Sequence, residues 1–347
     1  MNRSRARSTS VIGMVMITVV AGLLAGPAAG ARGINFSPAC VSFCSASVGW
    51  AVGGQAMIKK TTDGGRHWVR QAKSLQPDIG SFTSVGAVSA KVCWAVGTFG
   101  AYKTIDGGKT WIRVGKKLRP TPLESNTWRS VATVGSKVVW LDSTEGDIAK
   151  STDAGKTWSR QLTARSGVDW VGAIACNGSK NAWIPVDSVT TTYGRGVLIT
   201  GDGAKWSPVL SDLWYYGSAE LVAVCSSSPN LVWLGRGDGT VYRSGDGGTT
   251  WQLATSDAAT GAFGLSDIDC VGSTVCAVGT AWGGTPWTAA GIVSGGGGWS
   301  WMTFHTKSGA PAASIAHVDM LTSKVGWAVG GDGVFKTVDG GANWQQL

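Results

Sequence analysis

Aspartate returns in this chain at nearly even intervals: Asp63, Asp106, Asp153, Asp202, Asp246 and Asp339, with Gly296 where a seventh would fall. Such carboxylates could do acid–base work only if several converged on one cleft. Here each stands at the same place in a short recurring phrase, which makes it a turn residue of one repeat rather than a partner of the others. A second set has more catalytic promise. Arg129, Arg195 and Arg236 could clamp a substrate carboxylate, with Glu220 activating Tyr215 or Tyr216 as nucleophile. No Ser/His/Asp or Cys/His arrangement and no phosphate-binding loop accompanies them. The three histidines (His67, His305, His317) do not stand at ligand spacing to cysteine, so neither metal nor cofactor is expected.

The elements that must position these groups are short strands. The phrases read TTDGGRHW from Thr61, TIDGGKTW from Thr104, STDAGKTW from Ser151, TGDGAKW from Thr200, SGDGGTTW from Ser244, SGGGGWSW from Ser294 and TVDGGANW from Thr337. Upstream of each lies a β-branched run carrying tryptophan or its substitute: VGWAVG at Val48, VCWAVG at Val92, VVWLDS at Val138, NAWIPV at Asn181, LVWLGR at Leu231, TVCAVG at Thr274 and VGWAVG at Val325. These runs read as strands bounded by glycine. Four strands per repeat of about 43 to 50 residues is one propeller blade, so the expected fold is all-β: a single seven-bladed β-propeller of four-stranded antiparallel blades over residues 32–347. Within the phrase, aspartate can accept turn N–H groups, glycine at the fifth place can take positive φ, and the closing tryptophan buries its ring between sheets.

The pattern S/T-x-D-x-G-x-T-W resembles the Asp-box (BNR) repeat of sialidases, sortilin-type receptors, xyloglucanases and photosystem II assembly-factor propellers. With the GWAVG run upstream, it is most similar to the last group and its secreted bacterial relatives, over Ile34–Leu347. The resemblance implies a non-catalytic exported scaffold that binds protein during assembly. The alternative is a secreted carbohydrate-active protein, either a glycan-binding module or a sialidase-like glycoside hydrolase. Against it, the Arg-Ile-Pro signature of a first sialidase blade is absent, and Ile34–Phe43 holds no arginine. Xyloglucanases also use two propellers, whereas this chain has length for one.

Arg3, Arg5 and Arg7, the apolar run Val11–Leu24 and Ala29-Gly30-Ala31 read as a signal peptide over residues 1–31, with cleavage after Ala31 and a secreted product. Of seven cysteines, Cys270 and Cys276 flank a tight turn and could cross-link one hairpin. Formal net charge is +9, and residues 59–165 carry 18 Lys and Arg against 8 Asp and Glu. That asymmetry suits a protein partner that is acidic or membrane-associated, with a cell-surface glycan as the second choice and nucleic acid excluded for an exported chain. A monomer is expected. In a blade with strands A to D from the centre outward, the Asp-boxes and A–B turns share one face. Trp128, Trp170, Trp214, Trp282 and Trp287 fall near the D–A and B–C connections of the other face. Arg129, Tyr193, Arg195, Tyr215 and Tyr216 join them, and this loop-rich face is the expected binding surface. Trp299 is left over on the Asp-box face.

Overall fold

A run such as Gly49–Gly53 is buried at every position because a second strand has neighbours on both edges and a packed sheet on both faces. Cys93–Gly97, Val232–Arg236 and Gly326–Gly330 repeat that profile. The computed structural model describes residues 38–72, 75, 80–98, 100–115, 127–144, 146–162, 172–187, 195–209, 221–255, 263–281, 288–295 and 298–347. Among them the chain is all-β and forms a β-propeller of four-stranded antiparallel blades. Seven four-stranded sheets are present, each made of consecutive strands. Their inner strands are Pro38–Phe43, Phe82–Ala87, Trp128–Val134, Ala175–Asn177, Leu221–Ser226, Phe263–Val271 and Ile315–Met320. We number the sheets 1 to 7 in that order. Outer strands such as Val69–Arg70 and Gln252–Leu253 are two residues long and exposed, too short to invite strand addition.

One seam recurs between successive sheets. The second-strand tryptophan of one sheet meets the Asp-box tryptophan of the next edge to face, as in Trp50–Trp111, Trp94–Trp158 and Trp140–Trp206, with centroids 5.7, 5.9 and 5.8 Å apart. Above the first ring lies the lysine that precedes its own Asp-box. Lys60, Lys103 and Lys150 sit 4.6, 5.0 and 4.7 Å from the ring centroids. Each then donates to a carbonyl in the next sheet's Asp-box turn, at Gly107, Ala154 and Gly203. Three basic residues of sheets 1 to 3 are therefore clamps. Sheet 4 has Ile199 at that place, and Trp183 Nε1 itself donates to Gly247 O at 2.7 Å. At the seam of sheets 5 and 6, Trp299 meets Trp233, at 6.2 Å. The leftover tryptophan is thus the sixth seam residue, in a phrase shortened by two. Cys276 replaces the second-strand tryptophan in sheet 6, and the buried Phe304 packs on Trp344 in its stead.

Among the described residues, the first and last sheets meet through side chains and backbone without exchanging strands. Phe43 stacks on Trp327 and donates its N–H to Asp319 at 2.8 Å, while Trp327 Nε1 donates to Gly64 O.

Within each Asp-box the aspartate closes the turn. Asp106 accepts the Thr110 N–H at 3.0 Å and its hydroxyl at 2.6 Å, and Thr104 Oγ1 accepts the Gly108 N–H at 2.9 Å. Asp63, Asp153, Asp246 and Asp339 repeat this pattern, and Asp202 accepts from Ala204 and Lys205 in a shorter turn. These hydrogen bonds hold Asp63, Asp153 and Asp246 at about 2, the largest causes being the His67 N–H and the Thr157 and Thr250 hydroxyls in turn. Outside the shorter turn of sheet 4, where only Gly203 does so, positions four and five of the described Asp-box phrases both take positive φ, so the structure asks for two residues of glycine-like freedom. Ala154 sits at 63° where its counterparts are glycine, and Gly108 at 95° would place a Cβ 2.8 Å from the Trp50 ring. Ala154→Gly should therefore stabilise the fold by about 0.5–1 kcal/mol. Gly108→Ala, one repeat earlier, should cost about 2 kcal/mol or more. Denaturant melts of the two variants check the opposite signs.

The expected Cys270–Cys276 cross-link is not made. Cys270 lies opposite Val275 and Cys276 opposite Asp269, so with a two-residue side-chain period the two thiols point to opposite faces of the sheet. Cys270 instead bonds Cys225 of the neighbouring inner strand, and Cys276 is free and buried. For a cross-link spanning 45 residues, the loop-entropy relation gives about 4 kcal/mol. Cys225→Ala should lower Tm by many degrees and abolish its sensitivity to reductant, whereas Cys276→Ala should leave that sensitivity intact.

Candidate functional site

Two faces can be told apart by their backbone bonds. The A–B turns and Asp-boxes are tied together: Gly64 to Ser47 O, Gly107 to Lys91 O, Ala154 to Lys137 O, Gly247 to Asn230 O and Gly340 to Lys324 O. The other face gathers B–C turns and D–A connections, joined by bonds such as Ala56 to Gly80 O, Thr98 to Ser81 O and Thr144 to Thr127 O. This loop-bearing face is the one the sequence marks for binding.

The expected site residues divide three ways. Trp128 is a correction: it is 3% exposed and packs with Trp94, Val96 and Leu141 between sheets 2 and 3, because the inner strand begins at it rather than after it. Arg129 is half-buried on the same strand, and its charge acts on Asp142; Arg195 opens the strand Arg195–Thr200, paired with Asp187. Trp170, Tyr193, Trp214, Tyr215, Tyr216, Trp282 and Trp287 lie outside the described residues, as does Glu220.

Of the three arginines proposed for a carboxylate clamp, only Arg129 and Arg236 have described side chains, and each is engaged within its own sheet's surroundings. Arg236 is buried on sheet 5 with Nη2 3.3 Å from Asp238 Oδ2, while Arg129 belongs to sheet 3. Asp142 is fully buried and accepts the Ser130 hydroxyl. Burial pushes it up to about 6, against the Ser130 hydroxyl and the Arg129 charge.

What the sequence reading missed is a relay of polar groups along the inner strands. Ser42, Ser84 and Ser130 hydroxyls accept the N–H groups of Ala87, Val131 and Ile174 from the next sheet. Asp267 and Asp269 of sheet 6 accept from Val318 and Met320 at 3.1 and 2.6 Å, and Asp319 of sheet 7 accepts from Phe43. Cys225 occupies the same register position as Ser42 and Asp319, opposite the second-strand tryptophan, so the disulfide takes the place of a relay bond. The signal was present: aspartate and histidine in SDID (Ser266–Asp269) and AHVD (Ala316–Asp319), where a packed inner strand should read apolar.

This relay contains the one described His–Asp pair buried enough to resemble a catalytic dyad, and its geometry makes it structural. His317 Nδ1 lies 2.6 Å from Asp267, and Nε2 lies 2.9 Å from Val41 O. A carbonyl only accepts, so Nε2 donates and neither ring nitrogen is left to exchange a proton with substrate. Burial opposes the imidazolium, but Cys40 and Asp267 outweigh it and hold His317 well above its ordinary range. Burial and the nearby Asp319 push Asp269 up to about 7, and burial, offset in part by His317, lifts Asp319 to about 6. No cluster among the described residues could hold a metal ion.

A family model described as photosynthesis system II assembly factor YCF48 matches residues 33–195. The photosystem II assembly lipoprotein Ycf48 of Trichormus variabilis is 31% identical over 241 residues, which cover 59% of this chain and 69% of the relative. Among solved structures, YCF48 bound to D1 peptide aligns with a TM-score of 0.64 and 20% identity, covering 87% of this chain and 93% of that one. The GH74 xyloglucanase of Xanthomonas campestris aligns at 0.68 and 12% identity, covering 89% and 54%. At these identities the two structural likenesses speak for the fold alone.

The raised groups set a pH dependence. Between about 4, the ordinary aspartate value, and their folded values near 6 and 7, Asp142, Asp319 and Asp269 hold protons in the folded state that the unfolded chain has lost, so stability falls as pH rises through that window. His317, raised, contributes fully below about 6.5 and loses its contribution as pH rises through its folded value. The Asp-box carboxylates act oppositely, losing their contribution as pH falls below about 4. Tm should peak near about pH 4 and decline toward about pH 8. Asp269→Asn should flatten the decline, as thermal melts across pH will show.

Proposed function

Since the chain belongs to the Ycf48 family of photosystem II assembly factors, we propose that it is an exported propeller whose loop-bearing face holds a segment of another protein during assembly. It is a non-catalytic, protein-binding scaffold. The carrying observation is the relationship itself, at 31% identity over most of the relative's length, with a protein that acts in assembly. The satisfied state of the inner-strand His–Asp pair supports the same reading, because chemistry is not what those groups are arranged for.

The seven sheets are, on this reading, seven blades of one closed ring, and the contacts of sheet 7 with sheet 1 favour it. Residues 1–31 serve as the export signal, cleaved after Ala31. Arg129, Tyr193, Arg195, Trp214, Tyr215, Tyr216, Trp282 and Trp287 supply the contact surface on this reading, together with Trp170, and Lys116 and Lys117 of the connection between the second and third repeats add positive charge to it. A peptide is bound in one family structure, and an extended peptide segment is the partner class carried over to this chain. The protein acts as a monomer.

The test is site-specific photo-cross-linking in the native host, with the probe at 214 or 287 and a control at Ile112 on an outer strand. Protein adducts should form from the loop positions and not from the control. Trp214→Ala with Tyr215→Ala should keep Tm within a few degrees and reduce adducts about tenfold, the size expected of an aromatic hot spot. Lys116→Glu with Lys117→Glu should mainly slow capture and reduce its salt sensitivity. Loss of folding in the aromatic pair, or unchanged adducts in both pairs, would remove this face from the account.

A further inference from the structure

The Asp-box face has its own pattern of charge. Exposed cations stand on it at Lys91, Lys137, Lys180 and Lys324 in the A–B turns, and at Arg66, Lys109, Lys156 and Lys205 in the Asp-boxes. The recurring Asp-box aspartates share this face, but each spends its oxygens on N–H and hydroxyl groups of its own turn. With those carboxylates, the clamp lysines and their counterparts Lys336 over Trp327 and Arg243 over Trp233 counted, sheets 2 and 3 each keep an excess of two positive charges. Sheets 7, 1 and 4 keep one each, and sheets 5 and 6 none. The result is a crescent rather than an even ring.

Two aliphatic side chains protrude from the same turns. Ile105 and Val338 occupy the place before the aspartate, where the other phrases have threonine or glycine, and are 60% and 67% exposed. Nothing in the turn requires an aliphatic residue there, since Thr62, Thr152, Gly201 and Gly245 serve equally. Leucine-sized groups standing among lysines on a broad face suit the boundary of a lipid bilayer, where headgroups take the cations and the acyl region takes the side chains. A soluble polyanion would use the cations and have no use for Ile105 or Val338.

We propose that the Asp-box face docks on a membrane surface carrying anionic phospholipids, with the crescent of sheets 7, 1, 2, 3 and 4 against the headgroups and Ile105 and Val338 inserted between them. The loop-bearing face then points away from the bilayer. The two surfaces are opposite, so this proposal can fail while capture by the loops persists, and the reverse also holds.

The experiment is co-sedimentation of the protein, as its host exports it, with phosphatidylcholine vesicles containing none to half phosphatidylglycerol. Binding should rise steeply with phosphatidylglycerol and fall at least tenfold when salt is raised severalfold. The quadruple variant Lys91→Gln, Lys109→Gln, Lys137→Gln and Lys156→Gln should lose this binding with an unchanged melting curve. Ile105→Ser with Val338→Ser should weaken it severalfold and keep its salt dependence, while Arg70→Gln with Arg113→Gln, on outer strands, should change nothing. Binding indifferent to phosphatidylglycerol would overturn the proposal, as would equal losses from the outer-strand pair. Displacement by soluble polyphosphate with no effect of Ile105→Ser and Val338→Ser would assign the crescent to a dissolved polyanion instead. Should the quadruple variant unfold, the wild-type lipid and salt titrations and the serine pair still decide.

Discussion

The fold depends on one contact made again and again: a tryptophan in the middle of one sheet, pinned edge to face by the closing tryptophan of the next sheet's turn and roofed by a lysine that reaches the same turn's carbonyl. A single blade cannot bury its central strand, and this contact lets each neighbour do so. It also explains the turn. Aspartate and threonine fix the phrase so that a carbonyl meets the lysine, two positive-φ residues bring the backbone against the ring, and the closing tryptophan arrives at the right height. Where one component changes, another compensates: Trp183 donates to Gly247 where the lysine is missing, and Phe304 fills the space left by Cys276.

Nearer the axis, a second set of contacts does the same work with polar groups. Serine hydroxyls accept backbone N–H groups between sheets 1 to 4, aspartates do so from sheet 6 to sheet 1, and a disulfide joins sheets 5 and 6 at the equivalent position. Groups that elsewhere do catalysis are thereby engaged in closing the molecule. This is why a chain with suitable aspartates, a histidine and arginines is a scaffold.

The repeat was legible because its turn is local: residues three to eight apart decide it, and glycine, aspartate and tryptophan have narrow roles there. The four-strand unit followed from spacing. The disulfide was misassigned because proximity along a hairpin says nothing about which face a side chain takes, and Cys270 and Cys276 differ in parity. Trp128 reads from sequence as part of a connection because the long stretch before it hides where the inner strand begins. The relay of Asp267, Asp269, His317 and Asp319 escaped notice because its partners are backbone groups of another sheet, about 50 residues away, or at the opposite end of the chain. Most aromatic residues assigned to the binding face lie outside the described residues, so their assignment still stands on sequence.

The most direct measurement of the central claim is a double-mutant cycle on the seam itself, using Trp94→Leu, Trp158→Leu and the double variant in denaturant unfolding. If the ladder of tryptophans between sheets holds the fold, the two changes should be coupled by about 0.5–1.5 kcal/mol, the range for an edge-to-face aromatic pair. Additivity within about 0.3 kcal/mol would contradict it, because the rings would then be independent fillers of two cores rather than one contact shared between sheets.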